Sequence, residues 1–198
     1  MNPAKSTQED TPTRIIRATL ELIAEKGSDA LRTREILQRA GVSNLSAISY
    51  HFGSLENLTL CALEKYFEGA RQIFSGIDLQ SEPRSALLDF CRKMTHFILE
   101  NPSLERNIVY LAISGEHPNP IFAKIADQNL QVLTHLFMHA HKDPDPQNSR
   151  YQAVILASSI IYPLLLARYG PTSAGINSLD EQERENYFAN LVDTLLQK

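Results

Sequence analysis

Residues 34–58 read REILQRAGVSNLSAISYHFGSLENL, and the order of apolar, small and breaking residues in this stretch decides the fold. Ile36 and Leu37 mark the inner face of a short helix over about residues 33–40, Gly41 supplies a turn residue that tolerates positive φ, and Gly53 ends a second short helix over about residues 44–52. Ala47, Ile48 and Phe52 fall on the side of that second helix suited to burial. Asn44, Ser46, Ser49, Tyr50 and His51 fall on the other side, as small and polar groups able to reach base edges. This is the layout of a helix-turn-helix. A helical hairpin that merely packs has the same spacing, so the layout alone leaves both readings open.

Upstream, Ile15, Ile16, Leu20, Leu22 and Ile23 form one apolar stripe over residues 12–26, with Thr11 as the expected cap, Pro12 in the first turn and Gly27 as the stop. Downstream, Ser54 caps a long helix reaching about residue 75, with Leu58, Cys61, Ala62, Tyr66 and Phe67 on its core face. Breakers at residues 78–83, 101–103, 115–120, 143–148 and 170–179 then separate five helical segments, at about 84–100, 104–114, 121–141, 149–169 and 180–197. No segment alternates as a strand does. The expectation is an all-α protein of about nine helices.

Charge divides the chain of 198 residues unevenly, although its net value is -4. Residues 11–55 hold six bases (Arg14, Arg17, Lys26, Arg32, Arg34, Arg39) and four acids (Glu21, Glu25, Asp29, Glu35), whereas acids outnumber bases from Glu56 onward. The basic excess sits where phosphate contacts would be needed. Cys61 and Cys91 lie inside apolar helical patterns and read as small buried hydrophobes, which suits a reducing cytoplasm. Residues 1–10 lack an apolar core and read as no signal peptide, and the uncharged run over 151–167 falls short of the roughly 20 residues a spanning helix needs. The chain is expected to be soluble and cytoplasmic, without a membrane partner.

The segments IIRATLELIAEKG (Ile15 to Gly27), REILQRAGVS (Arg34 to Ser43) and YHFGSLENL (Tyr50 to Leu58) together resemble the amino-terminal signature of the tetracycline-repressor (TetR) family of transcriptional regulators. That resemblance implies a DNA-binding domain over residues 1–53 and an effector-binding and dimerisation domain over 54–198. It further implies a homodimer that reads a palindromic operator and is released, as a repressor, by a small molecule. The family's contact positions fall on Thr33, Arg34, Ser46, Ala47, Tyr50 and His51. Three departures stand out. Ser49 and Leu55 occupy positions where a phosphate-holding Tyr and Lys are common. The turn over residues 42–47 is one residue longer than usual. Arg32 stands where a capping Thr or Ser is frequent, leaving Thr33 or Asp29 to cap.

The other 140 or so residues agree with the family in helix count and length alone. Phe67, Phe74, Met94, Phe97, Tyr110 and Tyr162 are candidates to line a largely apolar effector pocket, although an aromatic at helical spacing is more often core. Arg92, His96 and His117 could hold a polar ligand group, with surface or capping roles favoured. The segment over 149–169 is apolar almost all round and so needs two covers, one of them another subunit. Ile155 and Ile161, with Tyr187, Phe188, Leu191 and Leu195 of the last helix, are the interface candidates. Pro163 should free carbonyls near Ser158 and Ser159 and shape either the pocket or the subunit seam. His135, His139 and His141 with Asp143 have the residue types of a metal cluster, but read as a solvated helix terminus. No metal or cofactor is assigned. An all-α enzyme is disfavoured by the lack of any nucleophile elbow, phosphate loop or HExxH. A helical protein-interaction module without DNA binding is the remaining alternative.

Overall fold

A computed structural model describes residues 9–114, 120–141, 144–167, 170 and 175–197. Regular structure among them is entirely helical, in nine helices: α1 (Thr11–Lys26), α2 (Thr33–Arg39), α3 (Ala47–Phe52), α4 (Leu55–Ser75), α5 (Pro83–Glu100), α6 (Pro102–Ser114), α7 (Pro120–Ala140), α8 (Pro146–Leu166) and α9 (Glu181–Leu196). The all-α expectation holds. Packing divides the chain into two compact units. One comprises α1, α2, α3, α4 up to Phe67, and α6 from Ser103; the other comprises α4 from Glu68, with α5, α7, α8 and α9. The expected division after residue 53 therefore differs from the packing, which draws thirteen residues of α4 and most of α6 into the first unit.

Helix ends follow side-chain chemistry rather than the apolar stripe. Asp10, not Thr11, caps α1, accepting the Thr13 N–H at 3.0 Å. Glu82, Asp145 and Asp180 cap α5, α8 and α9 in the same way, so α5 and α8 start earlier than hydrophobic spacing suggests. Ser54 caps α4 as expected, its Oγ accepting the Asn57 N–H at 3.0 Å. Neither Thr33 nor Asp29 caps α2. Arg32 occupies that position, and its guanidinium donates instead to the carbonyls of Leu31 and Asp29 at 2.7 and 3.2 Å.

The second unit closes over one core. Leu87, Phe90 and Cys91 of α5, Leu133, Leu136 and Phe137 of α7, Leu156 of α8 and Val192 of α9 are all buried in it. Burial pushes the Cys91 thiol up to about 12, which removes it as a reactive thiolate. Arg84 grips Asp193 in a bidentate pair at 2.6 and 3.0 Å, and Arg92 grips Glu185, so both arginines tie α5 to α9. Arg92 thus has a structural role. At such exposed positions these pairs add little to stability.

Phe188 and Leu195 are 4% and 8% exposed inside this core, and Tyr187, Leu191 and Ile161 pack against it. Their expected place on a subunit interface is corrected for Phe188 and Leu195, because the chain's own α5 and α8 need that apolar face. What α8 leaves outside is another stripe: Tyr151, Val154, Ile155 and Tyr162, between 42% and 62% exposed. At 21 residues and mean hydropathy 1.2, α8 is long and apolar enough to cross a bilayer. Its inner face, with Ala153, Leu156 and Ile160, is instead committed to the core.

Pro163, inside α8, has no N–H for the carbonyl of Ser159 one turn back. The Tyr187 hydroxyl donates to that carbonyl at 3.0 Å, replacing the missing backbone bond from a neighbouring helix. The Pro163 carbonyl in turn accepts both the Ala167 N–H and the Ser178 hydroxyl at 3.0 Å. Tyr187→Phe should therefore lower stability by about 1 kcal/mol. The loss should shrink in a Pro163→Ala background, where a backbone donor returns to Ser159. Urea unfolding of the four-member cycle measures the coupling, and independent losses would contradict it.

Candidate nucleic-acid interface

The first unit is assembled around the stop after α2. Gly41 adopts φ +65, its N–H bonds the Gln38 carbonyl at 3.1 Å, and the Val42 N–H bonds the Leu37 carbonyl at 2.8 Å. This pair of bonds is a Schellman closure, and it needs a left-handed residue at Gly41. The segment after it does not coil at once. The Asn44 carboxamide oxygen accepts the Ser46 N–H at 3.0 Å and the Asn44 carbonyl accepts the Ala47 N–H at 3.1 Å. Asn44 thereby holds a turn, and α3 starts at Ala47 rather than at the expected residue 44.

Within α3, Ala47 and Ile48 are both 3% exposed. Ala47 is therefore corrected as a base-contact candidate, since its methyl belongs to the interior. Arg34, Asn44, Ser46, Ser49, Tyr50 and His51 are exposed and Thr33 is half-buried. Tyr50 is 82% exposed, and its ring meets His51 edge-on at 4.8 Å. Leu45, absent from the expected set, stands 63% exposed in the turn. Its exposure could not be read from spacing, because a leucine beside α3 suits the core equally well.

Three cations on this unit are paired with carboxylates. Arg17 meets Glu9 and Glu21, Lys26 meets Glu35, and Arg39 meets Glu25 at 2.7 Å and Glu21 at 3.4 Å. The hydrogen bond from Arg39 holds the Glu25 carboxyl below its ordinary range. Among the described residues Arg14, Arg32 and Arg34 make no ion pair, and Arg34 stands at the start of α2 beside the exposed face.

Two residues of α6 brace the unit, and sequence reasoning assigned neither. The Asn107 carboxamide donates to the carbonyls of Ile23 and Ala24 at 2.7 and 3.2 Å, covering the C-terminal end of α1. Glu105 is 9% exposed and accepts the Tyr66 hydroxyl of α4 at 2.5 Å. Burial pushes the Glu105 carboxyl up, against the smaller opposing pull of that hydrogen bond, and burial with the neighbouring carboxylate pushes Tyr66 up as well.

In the second unit a groove of about 370 Å³ runs between α4 and α5, lined by Gly69, Gln72, Ile73, Gly76, Lys93, His96, Phe97 and Glu100. A Cβ on Gly69 would lie 2.5 Å from the Phe97 ring, so the two helices approach where no side chain intervenes. Of the effector candidates, Phe97 lines this groove. Phe74 and Met94 are packed in the core, with the Phe74 ring 4.9 Å from that of Phe90. Phe67 lies in the first unit, half-buried beside Tyr66. Tyr162 is corrected as a pocket residue, being 62% exposed on the outer side of α8. His117, Asp143 and the Tyr110 side chain lie outside the described residues. His96 pairs with Glu100 at 3.2 Å, and His135 and His139 are exposed. His141 instead lies 3.3 Å from the Gln152 carboxamide nitrogen.

Residues 15–60 match the family described as bacterial regulatory proteins, tetR family. No curated protein matches the chain. Among solved structures, a transcriptional regulator from Rhodococcus sp. Rha1 superposes with TM-score 0.71 at 18% identity, over 95% of this chain and 97% of that one. The TetR family transcriptional regulator PfmR from Thermus thermophilus gives 0.68 at 17% identity, over 96% and 97%. The multidrug binding protein EbrR, complexed with imidazole, gives 0.63 at 20% identity, over 96% and 97%. The chain has the TetR-like fold, with the tetR signature on the helix-turn-helix itself.

Stability conferred by the raised Glu105 carboxyl is fully present below the ordinary carboxylate range and is lost as pH rises through the displaced value, since the folded state holds the proton more tightly. Glu105→Gln should remove this alkaline loss, giving a higher urea midpoint than the parent at pH 8 and no advantage at pH 4. Parallel midpoints at both pH values would refute the assignment.

Proposed function

We propose that this protein is a DNA-binding transcriptional regulator, acting as a homodimeric repressor on a palindromic operator and released by a small, largely apolar effector. The observation that carries the reading is the exposed polar strip of the turn and α3, with Tyr50 at 82% exposure, on a helix whose opposite face is buried. A hairpin that merely packs has no use for a tyrosine so far into solvent. In the proposed complex α3 enters the major groove, Tyr50, His51, Ser46 and Ser49 meet base edges or phosphates, and Arg34 holds the backbone beside them. The first N–H groups of α4, beyond the Ser54 cap, add a phosphate contact without sequence information.

Dimerisation is supported by the outer stripe of α8, where Tyr151, Val154, Ile155 and Tyr162 recur at helical spacing and stand exposed. A second copy would cover them and set the distance between the two α3 helices. Effector control is supported by the EbrR complex with imidazole, a property of that protein, and by the groove along Phe97. The effector would act by preferring the dimer geometry whose recognition helices no longer match the operator.

Duplexes enriched from a random pool by the full-length protein should form a retarded complex. Arg34→Ala with Tyr50→Ala should abolish that complex while helicity and dimer mass stay unchanged, and undiminished binding would remove the assignment. Arg34→Ala alone should flatten the dependence of log affinity on log salt by about one per subunit. Ile155→Glu with Tyr162→Glu should yield folded monomers by light scattering and weaken operator binding by at least tenfold; a dimer that persists would place the interface elsewhere.

A further inference from the structure

We infer that Leu45 is a specificity-determining residue that reads the C5-methyl group of a thymine through apolar contact; the inference rests on the operator-binding reading above. Among the described residues of the first unit, the large hydrophobic side chains left exposed are Leu45 and Tyr50, and both belong to the helix-turn-helix. Leucines elsewhere in that unit, such as Leu22, Leu31, Leu37, Leu58 and Leu63, are no more than 3% exposed, against 63% for Leu45. Leu20, Leu55 and Leu60 are partly buried, so Leu45 is the exposed leucine among the described residues of this unit, and it lies on the surface proposed to meet DNA.

The turn presents Leu45 in a fixed position. The Asn44 carboxamide holds the Ser46 N–H at 3.0 Å, the Asn44 carbonyl holds the Ala47 N–H at 3.1 Å, and Ala47 is anchored in the interior. Leu45 sits between these two closures, so little backbone freedom is lost when a partner covers it. Its polar neighbours Asn44, Ser46 and Ser49 offer hydrogen bonds, whereas a branched hydrocarbon offers none. In the major groove the matching feature is the thymine methyl, the one apolar group that a base edge presents there. The lengthened turn, with α3 delayed to Ala47, makes Leu45 a turn residue, free of the helix and ahead of its first base-reading positions.

The test uses the full-length protein and a palindromic duplex recovered from the random pool. Each symmetry-related pair of thymines is replaced by deoxyuridine, which lacks only the methyl group. At one pair of positions the parent protein should lose affinity by about fourfold per half-site, or about fifteenfold over both, as expected for one buried methyl. Leu45→Ala should fold normally, bind more weakly on the all-thymine duplex, and show no further loss at that pair while keeping its response at others. Tight binding with no deoxyuridine position whose effect depends on Leu45 overturns the inference and leaves the regulator reading intact. Recovery of no duplex at all overturns both.

Discussion

Closure of α2 at Gly41 is the constraint on which the proposed DNA-facing surface depends. A left-handed backbone at this residue lets two N–H groups satisfy the last carbonyls of α2 within the space of one turn. The chain can then bring Ala47 and Ile48 back to the interior that receives Ile36 and Leu37. Every exposed group on α3 owes its direction to that buried pair. Rotating α3 by one residue would bury Tyr50 or expose Ile48, so the apolar positions act as the register of the polar ones. A Cβ on Gly41 would meet the Arg14 guanidinium at an ordinary 3.7 Å, so the restriction there is the left-handed backbone alone.

Electrostatics on the same unit follow from pairing rather than from net charge. Glu21, Glu25 and Glu35 are each occupied by a cation, and these pairs tie α1 to α2 at little energetic gain, being largely exposed. Their effect is to engage Lys26 and Arg39 with carboxylates, whereas Arg14, Arg32 and Arg34 make no ion pair among the described residues. In the proposed complex such a surface would add shape, hydroxyl groups and apolar contact to counterion release. The missing cation at Leu55 and the serine at residue 49 point the same way.

In the second unit, helix α8 shows how an interior proline is tolerated. Hydrophobic nearly all round, it divides its surface between a face committed to Leu87, Phe137 and Val192 and an outer stripe that stays exposed among the described residues. Pro163 lies on the buried side, where an unmet carbonyl would be costly, and Tyr187 meets it. That hydroxyl explains why a residue with an interface-like composition is turned inward. Phe188, its neighbour, is drawn into the core by the same placement of α9.

The amino-acid sequence by itself determined the helices, their number and most of their limits, because helical periodicity and breaker residues are local properties. It also marked the helix-turn-helix, where Gly41 and Gly53 punctuate a run with one apolar face. Residues whose role depends on distant partners could not be read this way. Glu105 and Asn107 carry no local sign that they brace α4 and α1, and Tyr187 lies 28 residues from the carbonyl it serves. Phe188, Leu195 and Tyr162 looked alike as apolar side chains on helices, yet two were buried and one was left in solvent. Only tertiary packing decided between them, since a helix has two sides and periodicity alone does not say which neighbour will cover each.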